Sequence, residues 1–158
     1  MLNQAAVPNG NINEFFIFTR SGTCVFHLDF TEKTVYNKSS SIDKTAEHRY
    51  KLIFGLLFSM KSFVKNLSPV KQTDVFKNFV TINYKLHYVE FLNGLRFVLI
   101  SAPLKTDFTT QLKEIFSIFY VNLITKNINV NKEEVIKNEI FLEGVHSYLS
   151  SFNSLTLS

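Results

Sequence analysis

The stretch Tyr50–Pro69, YKLIFGLLFSMKSFVKNLSP, does most to limit what this chain can fold into. Residues 52–58 form an unbroken apolar run, and Lys61 and Lys65 punctuate the rest of the stretch. Such a segment suits a bilayer span, a core helix, or a helix held between two protein surfaces. A spanning helix needs about 20 mostly apolar residues, and the lysines interrupt this one first. At about 100° per residue, Leu52, Ile53, Leu56, Leu57, Met60, Phe63, Val64 and Leu67 share one continuous face, the pattern of a helix laid over a sheet. Proline disfavours helical geometry in the residue before it, so Ser68-Pro69 ends the segment. The predicted helix runs from Ala46 to Leu67, with Thr45 as its N-cap.

Phe54 and Phe58 fall outside that wide face. One helical turn apart, they project from the opposite side and are flanked by Lys51, Lys61 and Lys65. Leaving both rings in water forgoes about 1.5–3 kcal/mol of burial each. An apolar pair with a cationic border has the make-up of an interface, and these five residues are the expected partner-docking site. Gly55, Ser59 and Ser62 lie along one edge, where small side chains let another backbone come close.

The remainder reads as strands and two further helices. NEFFIFTR and TCVFHLDF, on either side of Ser21-Gly22, predict a β-hairpin over 13–30. Residues 31–45 are polar and aperiodic, the composition of a flexible loop. Three strand-like runs come next, Val75–Ile82, Tyr84–Phe91 and Leu95–Ser101, and Asn93-Gly94 between the last two favours a tight type I′ turn. After Pro103 a helical period returns, with Phe108, Leu112, Ile115, Phe116, Phe119 and Leu123 on one stripe. A third helix is expected to begin after Asn131, with Glu134 as capping-box partner, and to carry Val135, Ile136, Ile140, Phe141, Val145 and Leu149. The order β-β-α-β-β-β-α-α predicts an α+β domain over 13–153, with flexible tails at 1–12 and 154–158. Its five-stranded antiparallel sheet would carry one helix on one face and two on the other.

Composition narrows the chemistry. With 46% apolar and 19% charged residues, the 158-residue chain suits one domain with a proper core rather than disorder. A net charge of +4, scattered along the chain, permits weak attraction to anionic lipid or an acidic partner but is no nucleic-acid footprint. The single cysteine, Cys24, excludes an internal disulfide, fits a reducing compartment and reads as a small core residue. The first eleven residues lack the basic and apolar regions of a secretory signal. His27, His48, His87 and His146 are isolated, and no glycine-rich phosphate cradle exists. Glu133-Glu134 fits a helix start, where the backbone dipole favours acids. No catalytic residue, metal or cofactor is expected.

YKLIFGLLFSMKSFVKNLSP followed by YKLHYVEF resembles the small longin-type subunits of the TRAPP vesicle-tethering complex, of the subunit-one or Bet-five type. Tyr50, Leu52, Gly55, Phe63 and Pro69 carry the helix motif; Tyr84, Lys85, Leu86, His87 and Tyr88 carry the strand motif. The R-S-G turn, the Asn-Gly pair and FYVNLITKN add to it. The resemblance covers residues 13–152 and fades in the tail and the serine-rich loop. It implies a longin or profilin-like fold and a non-enzymatic scaffold. Implied partners are other TRAPP subunits, of Bet-three and longin type, and a Rab GTPase of the Ypt class, for which the assembly is an exchange factor. Such a protein would be cytoplasmic and peripheral at endoplasmic reticulum and cis-Golgi, in transport between them. The competing readings are an adaptor-type small subunit, a SNARE-regulatory longin domain, a small-molecule-binding or catalytic domain, and a peripheral membrane binder using the lysines beside Phe54 and Phe58.

Overall fold

The computed structural model describes residues 11–31, 46–67, 77–126 and 134–154. Strands β1 (Ile12–Phe18), β2 (Cys24–Asp29), β3 (Asn78–Val80), β4 (Lys85–Glu90) and β5 (Arg96–Ser101) form one antiparallel sheet in the order β2-β1-β5-β4-β3. The helices are α1 (Glu47–Leu67), α2 (Thr109–Glu114), which continues as a π-helical segment over Ile115–Thr125, and α3 (Glu139–Ser154). The central strands β1 and β5 are apolar on both sides because both sides are covered. Phe15, Ile17, Phe97 and Leu99 pack with α2 and α3, while Phe16, Phe18 and Val98 pack with α1. The expected α+β sandwich, one helix on one face and two on the other, is the fold observed.

Both hairpins close alike. Gly22 N–H donates to Thr19 O and Thr19 N–H to Thr23 O; Gly94 N–H donates to Phe91 O and Phe91 N–H to Leu95 O. Each glycine is left-handed, at φ +95° and +86°. Asn93 is not, so the second turn is a three-residue loop ending on glycine and not the type I′ turn its sequence suggests. Across the first hairpin Ile17 faces Phe26 but Phe18 faces Cys24. Val25 is the extra residue of a bulge, which puts Cys24 on the α1 face and Phe26 on the other.

Four boundaries differ from expectation. Ile12, drawn as tail, opens β1 and is buried; its N–H donates to Asn153 Oδ1 at 2.7 Å, and Asn153 Nδ2 donates back to Ile12 O at 3.1 Å. Of the strand expected over Val75–Ile82, residues 75 and 76 lie outside the described residues; the rest is strand at Asn78–Val80 and stops there because Thr81 turns the chain by hydrogen bonding with Tyr84. Residues 134–138 are not helical: Ile136 N–H donates to Val25 O of the edge strand β2 at 2.9 Å. Asn138 then caps α3 through its Oδ1 on Phe141 N–H, so Val135 and Ile136 precede the helix and Ile140 is exposed. Finally, the stripe after Pro103 holds only to Ile115. The wider π turn brings Tyr120 and Ile124 inward, leaving Phe116, Phe119 and Leu123 half-buried. The expected N-cap Thr45, the loop 32–45, Ser68-Pro69, Glu133 and the outer tails lie outside the described residues.

Candidate docking surface

Helix α1 lies over Phe16, Phe18, Leu86, Tyr88 and Val98 with Tyr50, Ile53 and Leu57 fully inward. Two polar clamps hold it there. In its first turn the Arg49 guanidinium makes a two-pronged ion pair with Glu14 of β1. The same carboxylate takes His27 Nε2–H at 3.1 Å, and Nδ1 of that ring lies 2.9 Å from the Tyr50 hydroxyl. Burial alone would raise the Glu14 carboxyl; Arg49 and His27 outweigh it and hold the group at about 2. Further along, Lys61 Nζ donates to Glu90 Oε2 at 2.7 Å, where Tyr88 O–H also donates, and Arg96 approaches the other oxygen at 3.8 Å. Lys61 therefore fastens the helix to β4 and is no free rim cation.

Phe54 is placed differently from expectation. Its ring packs at 6.0 Å from Phe18 and lies under the Arg96 guanidinium at 5.0 Å. A Cβ on Gly22 would stand only 2.8 Å from it. The chain's own residues thus half-bury Phe54, and Phe58, 66% exposed, is left alone on that flank. The cause is a rotation of the buried arc. The Tyr50 hydroxyl reaches His27, and Phe54 comes one turn later, so the arc centres between Ile53 and Leu57 rather than on Leu56. The predicted wide face is split as a result: Ile53 and Leu57 are buried and Leu56, Met60 and Val64 half-buried. Leu52, Phe63 and Leu67 remain 60, 58 and 67% exposed. Apolar surface is therefore presented on both flanks of one helix. A groove of about 610 Å³ opens between Arg49, Ile53 and Leu56 of the helix and Glu14, Leu86 and Ile100 of the sheet. Gly55 faces open space, and Lys51 pairs with Glu47 along the helix at 3.1 Å.

The strand motif is interior. Lys85 is buried with its ammonium on Thr106 O at 2.8 Å. His87 is buried under Phe108, and its Nε2–H donates to Ser101 Oγ at 2.9 Å, whose hydroxyl goes on to Ala102 O. Burial first, then the neighbouring Lys85, depresses His87 to about 4. Cys24 is buried with its thiol on Phe26 O, and burial lifts that thiol to about 12. Among the described residues no cluster of His, Cys, Asp and Glu is arranged to hold a metal ion, and no described helix is long and apolar enough to cross a membrane.

This architecture, from the first residue of β1 to the last turn of α3, coincides with a family match: the model described as the Sybindin-like family covers residues 12–152. The chain belongs to the Sybindin-like family. Among its relatives, trafficking protein particle complex subunit 1 of Dictyostelium discoideum is 32% identical over 147 residues, 92% of this chain and 99% of the relative. The subunit of the same name from Homo sapiens is 33% identical over 140 residues, covering 89% and 92%. Trafficking protein particle complex subunit BET5 of Saccharomyces cerevisiae is 28% identical over 133 residues, covering 84% and 83%.

In this Sybindin-like chain the motif residues sort by role. Tyr50, Lys85, Leu86, His87 and Tyr88 are buried and hold the fold, with Tyr84 half-buried at the strand's start. Leu52, Gly55 and Phe63 are exposed on α1; Pro69 lies outside the described residues. Of the five expected docking residues, Phe58, Lys51 and Lys65 stay on the surface, while Phe54 and Lys61 serve the chain's own packing. Periodicity missed the residues that share Phe58's end of the molecule, Arg20 and Leu92 at the hairpin tips, because hairpin tips carry no helical signal.

Proposed function

We propose that this chain is a non-catalytic scaffold subunit of a TRAPP-type vesicle-tethering assembly. The observation that carries the reading is the surplus apolar surface of α1. Leu52, Phe58, Phe63 and Leu67 are all more than half exposed on a helix whose own sheet is already covered. Exposed patches of this kind in a folded domain mark contact surfaces, and the relatives are named as subunits of a trafficking particle. Phe58, with Lys51 and Lys65 beside it, is a docking position in this reading. The chain's part is to hold neighbouring subunits, of Bet-three and longin type, in register. The assembly as a whole then acts as nucleotide-exchange factor for a Rab GTPase of the Ypt class. It works in the cytoplasm, peripherally at endoplasmic reticulum and cis-Golgi, in transport between the two. Two buried groups that could serve a reaction suit structure better: His87 is held neutral, and the Cys24 thiol is raised to about 12.

Affinity purification of the tagged chain from its own cells, followed by mass spectrometry, is expected to recover other TRAPP subunits in comparable amounts. Their complete absence overturns the reading. For the exchange step, a reconstituted assembly lacking this chain is expected to release GDP from the GTPase more slowly; an unchanged rate removes that part.

A further inference from the structure

We infer that the hairpin end of the α1 face docks an apolar patch rimmed by carboxylates on a neighbouring protein, an inference that rests on the subunit reading above and names its partner's chemistry. Three elements are locked together at this end. The Phe54 ring sits on Gly22 of the first hairpin turn, and a Cβ on Gly94 of the second would stand 2.7 Å from the Arg20 side chain, so the two tips are in contact. Arg96 ties them further, donating to Thr19 O at 3.3 Å and Arg20 O at 3.2 Å. On this rigid floor two large apolar side chains are exposed. Phe58 lies one turn beyond Phe54 and is 66% exposed, and Leu92 tips the second hairpin and is fully exposed.

The charges around them are unbalanced. Among the described residues, the ion pairs of the five cations Arg20, Lys51, Lys61, Lys65 and Arg96 are with Glu47 and Glu90 alone. Glu90 takes Lys61 and Arg96, and Glu47 takes Lys51. Among the described residues no carboxylate pairs with Arg20 or Lys65. An apolar centre with surplus cations at its rim is complementary to an apolar centre with surplus carboxylates. A lipid surface fits less well. Recognition of anionic bilayers draws on clusters of roughly 4–8 basic residues, whereas internal carboxylates already engage three of the five here.

Phe58 and Leu92 are each replaced by photo-reactive benzoylphenylalanine in the tagged full-length chain, which is crosslinked in cells and mapped by mass spectrometry. Both positions are exposed, so the fold is expected to survive; circular dichroism checks it. The expected result is one partner segment reached from both positions, with Asp or Glu flanking the crosslinked residues. Arg20→Glu with Lys65→Glu should cut that crosslink about tenfold or more. Crosslinks to a segment without carboxylates, to different proteins from the two positions, to lipid alone, or to nothing overturn the inference, as does indifference to charge reversal. So does binding to phosphatidylserine vesicles that charge reversal abolishes. A carboxylate-flanked partner that is no TRAPP subunit sustains this surface while sinking the subunit reading.

Discussion

Glu14 has its side chain 8% exposed, between Arg49 of α1 and His27 of β2. Its carboxyl titrates at about 2 in the fold against 4.5 for the ordinary group, because hydrogen bonds from Arg49 and His27 outweigh the cost of burial. A folded-state value below the unfolded one contributes stability that is complete above about pH 4.5 and lost as pH falls toward 2. Glu14→Gln is therefore expected to lower the urea-unfolding free energy by about 2 kcal/mol at pH 7. The gap to wild type should narrow as pH falls from 4.5 to 2; a gap that stays constant refutes the assignment. The two phenylalanines make a second residue-scale test. Phe54→Ala removes a half-buried ring from Phe18 and Arg96, and about 2–3 kcal/mol of loss is expected. Phe58→Ala should change stability by less than about 0.5 kcal/mol, so equal losses in thermal melts would contradict the placement of one inside and one outside. Helical periodicity places the two rings on one side, as they are. It does not report that a glycine turn and an arginine from elsewhere in the sheet rise to cover only the first.

Elements were legible where their signal is local. Alternation marks the strands, and the apolar run marks α1, which is helical from Glu47 through Leu67. The segment 134–138 was not legible, because what holds it out of the helix is a hydrogen bond to Val25 O on an edge strand more than a hundred residues earlier. Nor was the π-helical segment. Ile115-Phe116, Phe119-Tyr120 and Leu123-Ile124 are apolar doublets, so either a 3.6-residue or a wider period finds a greasy side chain at each turn. The two registers differ in a measurable way. With Ile124 1% exposed and Leu123 half-buried, Ile124→Ala is expected to cost about 2–4 kcal/mol and Leu123→Ala clearly less; the reverse order would restore the ordinary helical register. The start of α3 offers a matching pair. Asn138→Ala should cost about 1 kcal/mol through loss of the cap on Phe141 N–H. Ile140→Ala, 69% exposed in the first turn of the helix, should change stability by less than about 0.5 kcal/mol.

At the scale of the whole molecule, one sheet serves two cores. Residues that face α1 and residues that face α2 and α3 alternate along the same strands β1 and β5. This explains why the fold was readable and the docking end was not. A covered sheet writes its alternation into each strand, whereas Arg20, Phe58 and Leu92 come to one end only once three separate elements are stacked. It also makes the strand ends matter to both cores. Ile12, the first residue of β1, has its N–H and C=O bonded by the Asn153 side-chain amide, which joins the first strand to the last helix as a further strand would. Asn153→Ala leaves a buried donor and acceptor without these partners, at an expected cost of about 2 kcal/mol. Asn153→Asp should do no better, since a carboxylate accepts from Ile12 N–H but has nothing to donate to Ile12 O. Because β1 belongs to both cores, the loss should move one cooperative transition as a unit. Far-UV circular dichroism and tyrosine fluorescence are then expected to report the same lowered urea midpoint, Tyr50 and Tyr88 lying on one face and Tyr120 on the other. If the end of α3 frays first and the tyrosines respond only at the wild-type midpoint, the clamp is local to that helix and does not bind the two layers together.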